Sequence, residues 1–297
     1  MNFFMLLSAQ TALTADKVPL ISIVSIIVSA ALIVAVPTLS IFFLRKRCQM
    51  TLRSMMYGIS FYVFTGYLLQ QIVSAVIYSI GKGNPGVGGI ILYTFITVAF
   101  EILGIYGGML LLRRFLSGVN NAAGFAVGYG AIELILAMGF VVFMFITMIL
   151  ALNSAGLDAA VSAYPETDRE EIRQIFQSLI QMPWYEYVIY GIQAVLIAAF
   201  RYCTVGVVYG VSIGKLEKKG LFLAAAFCLL FRVPDVLYQL GAVESPLLIE
   251  ILFVLVTAVI AAVTWKVANT FMKEEVTEVF TVPKKAVQKM PKIVMPK

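Results

Sequence analysis

The chain has 297 residues, of which 61% are apolar and 13% charged, and its net charge at pH 7 is +6. A soluble domain carries charge on about a quarter of its residues, so this composition excludes a water-facing globular surface. The lysines and arginines lie in short clusters between apolar runs, which excludes a nucleic-acid partner, because such proteins gather basic residues on one folded face.

Seven apolar runs reach the length of about 20 residues that a helix needs to cross the hydrocarbon layer. They predict an all-α, polytopic transmembrane helix bundle with spans at about 18–44, 54–80, 89–112, 122–152, 185–214, 221–240 and 246–270. We therefore expect a multi-pass protein of the cell (cytoplasmic) membrane, with the lipid bilayer as its surroundings.

The basic residues orient the predicted bundle, because loops rich in Lys and Arg stay in the cytoplasm. With the N-terminus outside, 16 of the 22 Lys and Arg residues fall on cytoplasmic segments. We expect the C-terminus to be cytoplasmic, with an N-terminal interfacial segment at 1–17, a single bundle at 18–270 and a basic tail at 271–297.

The predicted outer loop, at 153–184, contains an amphipathic pattern at about 166–182. Thr167 and Glu170 have the spacing of a capping box at the start of a helix. Apolar residues follow at helical spacing, which predicts a helix on the outer membrane surface. It acts either as a strut that packs over the bundle or as a lid.

Glycines recur at intervals of four in two predicted spans. Gly124 and Gly128 lie in the fourth span, and Gly206, Gly210 and Gly214 lie in the fifth. Such spacing lets helix backbones approach closely. It favours a compact bundle.

Ionisable residues fall near the middle of four predicted spans, and they are Glu101, Glu133, Arg201, Arg232 and Asp235. A charge at this depth costs at least about 2.5 to 3.5 kcal/mol, so we expect these side chains to face inward and pair. Both arginines should pair with Glu101 and Glu133, although the sequence does not say which acid meets which base. Tyr129, one turn before Glu133, adds a hydroxyl on the same helix face.

No metal or cofactor is expected. The chain has no histidine and three scattered cysteines. Cys203 and Cys228 could in principle meet Glu133 and Asp235 inside the bundle, but zinc sites usually show tighter spacing and either His or paired Cys ligands.

The polar residues lie in four strings, AFEILGIYGGMLLLRR at 99–114, GFAVGYGAIELIL at 124–136, FRYCTVGVVYG at 200–210 and FRVPDVL at 231–237. In order and spacing these strings resemble the YhfC family of bacterial membrane proteins, which is similar to the CAAX-processing and bacteriocin-processing intramembrane proteases. The resemblance extends from the second span over most of the chain.

The resemblance gives the midplane residues counterparts in family motifs. Phe100 and Glu101 match an F-E-E-x-x-R string in which Ile102 and Ile105 replace the second Glu and the Arg. Gly128, Gly130 and Glu133 match a G-H-G-G-x-E string in which Tyr129 replaces the His. Arg232 and Asp235 stand at an H-x-x-x-D or H-x-x-x-N string, and Phe200 and Arg201 stand at an E-R pair.

The resemblance implies a hydrolytic centre in which a Glu activates water and His residues orient the reaction. Its catalytic candidates here are Glu133, Glu101 and Asp235, and Arg201, Arg232 and Tyr129 form the polar surroundings. General acid and base groups each contribute roughly 100- to 10,000-fold to a rate, and every histidine is replaced. We therefore expect a catalytically degenerate member that binds a membrane peptide, lipid or protein partner.

Two other functions stay open at this point. In the first, the chain is an active glutamic-type intramembrane peptidase, in which Glu133 activates water and Glu101 or Asp235 assists. In the second, the midplane acids form the relay of a proton- or ion-coupled transporter, although the sequence shows no internal repeat of the kind that transporter folds often contain. A salt-bridge network that only holds the helices together is the structural alternative to all of them.

Overall fold

A computed structural model of the protein describes residues 17–80, 86–116 and 118–273. All regular elements within these ranges are helices, and seven of them are long and apolar enough to cross a membrane. The spanning helices are α1 (Leu20–Cys48), α2 (Leu52–Ile80), α3 (Gly86–Phe115), α4 (Val119–Ala155), α7 (Trp184–Ser212), α8 (Gly220–Gln239) and α9 (Pro246–Phe271). Two shorter helices, α5 (Leu157–Ser162) and α6 (Arg169–Gln181), lie between α4 and α7. The predicted all-α bundle of seven spans is confirmed.

The predicted interfacial segment before residue 17 and the basic tail from residue 274 onward lie outside the described residues. Within the described part, successive spans run in opposite directions. The ends of α1, α3, α7 and α9 therefore lie beside the starts of α2, α4 and α8. We call this the basic end of the bundle, because it carries Arg45, Lys46, Arg47, Arg53, Arg113, Arg114, Lys218 and Lys219.

Helix α7 is the centre of the bundle. It packs against α1, α3, α4, α8 and α9, and about two thirds of the residues in its most apolar stretch are buried inside the protein. The other spans are buried less and turn apolar side chains outward, as expected where lipid replaces water. A polar side chain on α7 therefore meets other helices instead of lipid, and Arg201 lies on this helix.

Helices α2 and α4 each contain a wider, π-helical turn. The turn in α2 covers Tyr62–Leu68, and the turn in α4 covers Ile135–Gly139. Such turns shift the direction of the side chains around them and occur frequently at functional sites. The first brings Tyr62 against Tyr129 with ring centroids 5.0 Å apart, and the second follows directly after Glu133 and Leu134.

Close approach of α2 and α4 depends on glycine. A Cβ at Gly128 would collide with the carbonyl of Met55, and a Cβ at Gly58 would lie 2.8 Å from the backbone nitrogen of Tyr129. Only a residue without a side chain fits between two backbones at this separation. The predicted close contact at Gly124 and Gly128 is therefore present, and its partner is α2.

The glycine prediction is wrong for two residues at the end of α7. A Cβ at Gly206 would meet no atom within 4 Å, so this residue faces open space instead of a neighbouring helix. Gly214 lies after the helix with a φ of +78°, where it forms a turn. Only Gly210 is closely packed, against Leu216 and Met272. Equal spacing along the chain did not give equal surroundings.

Helix α6 lies within the range predicted for the amphipathic helix, but it begins differently. Its N-cap is Asp168, whose side chain makes no capping hydrogen bond, and the Thr167 hydroxyl donates to the Asp168 carboxylate over 2.7 Å. The predicted capping box of Thr167 and Glu170 is therefore wrong, because the helix starts one residue later. Phe176 and Leu179 of α6 are fully buried in the bundle's second apolar cluster, which favours a strut over a lid.

We expect Gly128→Ala to lower the free energy of unfolding by about 1 to 3 kcal/mol, because the new methyl group collides with backbone that has no freedom to move aside. Gly88→Ala is the matched control, since a Cβ there meets nothing within 4 Å. Thermal unfolding of the two purified variants in detergent measures the difference. Equal melting temperatures would contradict the contact between α2 and α4.

Candidate functional site

Arg201 of α7 binds both oxygens of the Glu133 carboxylate on α4. Its Nε donates to Oε2, and its Nη2 donates to Oε1. This two-point geometry uses the planar guanidinium fully and is among the stronger hydrogen-bonded pairs in proteins. Both oxygens of Glu133 therefore accept hydrogen bonds from a single arginine.

The same arginine also contacts the second midplane acid. Arg201 Nη1 pairs with Oε1 of Glu101 on α3, and Arg232 Nη2 of α8 donates to Oε2 of Glu101 over 3.1 Å. The four side chains form one chain of contacts in the order Glu133, Arg201, Glu101, Arg232. We call these four residues the charge network.

The charge network is most deeply buried at its centre and less buried at its two ends. The Glu101 side chain is 1% exposed and that of Arg201 4%, whereas Glu133 is 14% and Arg232 is 24% exposed. Two acids face two bases, so the formal charges cancel. Neutralisation inside a low-dielectric interior is what allows these groups to remain buried there.

Aromatic rings enclose the guanidinium of Arg201. The Arg201 Cζ lies 5.2 Å from the ring centroid of Tyr129 and 4.7 Å from that of Phe200. A guanidinium is attracted to the face of an aromatic ring. Tyr129 is fully buried and its hydroxyl lies beside Gly66 of α2, so it contacts Arg201 through its ring.

Asp235 lies apart from the charge network. Within the described ranges it forms no ion pair, and it lines a cavity of about 60 Å³ together with Gln193 and Phe253. The Gln193 amide donates to Oε2 of Glu250 on α9 over 3.2 Å. The structure therefore divides the predicted site residues into two groups, with Asp235 in a second polar cluster formed by Gln193, Asp235 and Glu250.

The sequence analysis missed Glu250. This residue is 5% exposed, and its Oε1 has no hydrogen-bond partner among the described residues. It lies four residues after Pro246, near the start of α9, where an acid is ordinarily at the membrane interface. An acid inside the apolar string PLLIEILFVLV was the signal that could have identified it.

Metal ligands are sparse around either cluster. No group of three or more His, Cys, Asp or Glu side chains placed to hold a metal ion occurs in the part of the chain that the structure describes. The acids nearest to each other at the centre, Glu101 and Glu133, are joined through Arg201. A cation in this position would have to displace a guanidinium.

We expect Arg201→Gln to destabilise the protein by about 3 to 5 kcal/mol, because it leaves two buried carboxylates without their shared base. Arg232→Gln should cost less, since Arg232 is partly exposed and contacts Glu101 alone. Adding Glu133→Gln to Arg201→Gln should recover part of the loss, because Glu101 and Arg232 then remain as a neutral pair. Thermal unfolding in one detergent compares all three variants, and equal losses for Arg201→Gln and Arg232→Gln would contradict a central role for Arg201.

Comparison with known proteins places these motifs in a family. The sequence model of the YhfC intramembrane metalloprotease family matches residues 32–255, which is more than half of the chain. The chain is 29% identical over 164 residues to the uncharacterized membrane protein YhfC of Bacillus subtilis (strain 168), a match that covers 54% of this chain and 60% of that protein. No solved structure matches. The chain is a multi-pass membrane protein that belongs to the YhfC family.

Proposed function

We propose that this chain is a non-hydrolytic member of the YhfC family that acts by binding a partner in the membrane. One observation carries the proposal, namely that Arg201 holds both oxygens of Glu133 and one oxygen of Glu101. These acids are the candidates that the family resemblance gives for water activation. In this chain they are the ligands of a guanidinium.

General-base catalysis requires a carboxylate oxygen within hydrogen-bond reach of the attacking water. Both oxygens of Glu133 point at Arg201, and one oxygen of Glu101 points at each of the two arginines. Releasing either acid would break at least one buried ion pair, which costs several kcal/mol. That cost would add to the barrier of any hydrolysis at this centre.

A metal ion does not fit the residues at this centre. Zinc in proteases is ligated by histidine nitrogen and carboxylate oxygen in sets of three, with a fourth position left for water. This chain has no histidine, and both acids of the charge network are occupied by arginines. We therefore derive no catalytic step through a metal for this chain.

Tyr129 and Arg232, which stand where the family motifs have histidine, both contact residues of the charge network. Tyr129 contacts the face of Arg201, and Arg232 pairs with Glu101. Both contacts stabilise the charge network as it stands. This arrangement supports a scaffold whose helices are held in place for binding a membrane peptide, lipid or protein partner.

The proposal includes a location. The basic end of the bundle carries eight of the sixteen described Lys and Arg residues, and such residues favour the cytoplasmic side. We therefore place the chain in the cell (cytoplasmic) membrane with its N-terminus outside and its C-terminus in the cytoplasm. The second polar cluster would then lie toward the outer side.

We expect no proteolysis when the purified protein is reconstituted in liposomes with a library of membrane-anchored peptides. Mass spectrometry of the peptides should give the same products for the wild type and for Glu133→Gln, because Glu133 is not free to activate water. An active intramembrane protease of another family checks the assay. Cleavage by the wild type that Glu133→Gln abolishes would establish the glutamic-type peptidase instead and end this proposal.

We also expect the folded protein to be independent of divalent metal. Elemental analysis of the purified chain should give well under one equivalent of zinc, and excess chelator should leave the melting temperature unchanged. Structural zinc contributes directly to folding stability, so its removal would lower that temperature. A stoichiometric metal, or a clear loss of stability with chelator, would contradict this expectation.

A further inference from the structure

An apolar cavity lies away from both polar clusters, near the basic end. It has a volume of about 420 Å³ and lies between α1 and α9, with α4 and α7 as its floor. Helices α1 and α9 both pack against α7, and within the described ranges no comparable contact joins them to each other. We call this space the basic-end cleft.

The walls of the basic-end cleft are almost entirely apolar. Alanine and glycine at its floor, among them Ala122, Ala126 and Gly206, provide its depth, and the polar atoms in its lining are few. The walls are helical over most of their length, so most of their backbone groups are hydrogen bonded within a helix, and the remaining polar groups are a few hydroxyls such as that of Thr264. A ligand in this cleft therefore finds apolar contact and almost no hydrogen-bond partner.

This wall chemistry favours an acyl chain over a peptide. An extended peptide in the hydrocarbon region must pair its N–H and C=O groups, since each unpaired group costs several kcal/mol, and these walls offer too few partners for a row of such groups. A helical peptide pairs its own backbone but is about 10 Å wide with its side chains. An acyl chain is thin and has no polar group to satisfy. The cleft extends along α9 from Thr264 to Met272, about 12 Å at 1.5 Å per residue.

Three basic residues lie at the rim of the cleft. Arg45, Lys46 and Arg47 occupy the last turn of α1, directly after the lining residues Phe43 and Leu44, and all three are exposed. At the same end, the acid Glu217 is already paired with Lys219 over 3.5 Å. The rim thus presents positive charge at the depth where a phospholipid carries its phosphate.

We propose that the basic-end cleft binds one acyl chain of an anionic phospholipid, whose headgroup phosphate lies against the basic rim formed by Arg45, Lys46 and Arg47. In a bilayer the neighbouring lipid tails are as apolar as the cleft, so filling it does not by itself distinguish one lipid from another. The rim supplies the selectivity, because each basic side chain near the surface favours an anionic lipid by about fivefold. The proposal is independent of the state of the charge network and of any hydrolytic activity.

A substitution at Gly206 tests the binding of the acyl chain without disturbing the core. Because a Cβ at this position meets nothing within 4 Å, Gly206→Leu places its side chain in the cleft. Gly88→Leu is the matched control, since its Cβ also meets nothing within 4 Å and it lies outside the cleft. Ala123→Leu fills the cleft from α4 and serves as a second blocking variant.

The headgroup half of the proposal has its own matched pair. Arg45→Gln with Arg47→Gln removes two charges from the rim of the cleft. Arg113→Gln with Arg114→Gln removes two exposed charges from the end of α3, at the same end of the bundle but away from the cleft. Any general attraction of the basic end for anionic lipid is lost equally in both double variants.

The experiment is native mass spectrometry of the delipidated full chain titrated with phosphatidylglycerol or phosphatidylcholine of identical acyl chains. We expect one tightly bound phosphatidylglycerol on the wild type and on Gly88→Leu. Gly206→Leu and Ala123→Leu should weaken that binding by roughly tenfold or more, since they remove several methylene groups from contact. Gel filtration and melting temperature confirm that each variant is folded.

The rim variant should still bind an acyl chain but should lose the preference for phosphatidylglycerol over phosphatidylcholine. Arg45→Gln with Arg47→Gln should reduce the ratio of phosphatidylglycerol to phosphatidylcholine affinity by at least about fivefold, while Arg113→Gln with Arg114→Gln leaves it near the wild-type value. Three outcomes overturn the proposal. They are a wild type that retains no lipid, a folded Gly206→Leu that binds phosphatidylglycerol as well as the wild type does, and equal losses of preference in the two double variants.

Discussion

A guanidinium in the middle of a membrane bundle must be paired, and the position of Arg201 makes this requirement govern the whole structure. Arg201 lies on α7, the helix against which five of the other six spans pack. Its contacts reach Glu133 on α4 and Glu101 on α3, and Glu101 continues to Arg232 on α8. Four helices are thus held in one rotational setting by a single neutral set of charges. The rest of the bundle packs mainly through apolar side chains, with isolated hydrogen bonds such as that between Gln193 and Glu250, because lipid is as apolar as those side chains.

The sequence predicted those features that depend on distance along the chain. Run length gave the seven spans, and the cost of charge in hydrocarbon identified four of the residues that meet at the centre. It did not give the pairing, because the rotation of each helix depends on tertiary packing. Arg201 therefore meets both acids, and Asp235 falls in another cluster with Gln193 and Glu250. Glu250 was missed for the same reason, because its burial depends on which way its helix faces.

The glycines show the same limit at the level of single residues. Gly128 and Gly206 both belong to repeats of four, and spacing alone assigns them the same role. Gly128 lies where the backbones of α2 and α4 are in contact, and Gly206 faces open space at the floor of the cleft. Periodicity identifies which residues share a helix face, but the neighbour of that face comes from the fold. The same spacing therefore accompanies a close helix contact between α2 and α4 and an open cleft beside α7.

The neutrality of the charge network has a consequence for how this sequence can change over evolutionary time. Loss of any one of its four members leaves the other three with a net charge in a buried place. Each single substitution that neutralises one of these four residues therefore lowers the stability of the protein. A path that frees Glu133 from Arg201 has to alter an acid and a base together, or pass through a less stable protein. The four residues of the charge network are therefore constrained as a set, whereas residues at the periphery of the bundle can change one at a time without leaving a buried charge unpaired.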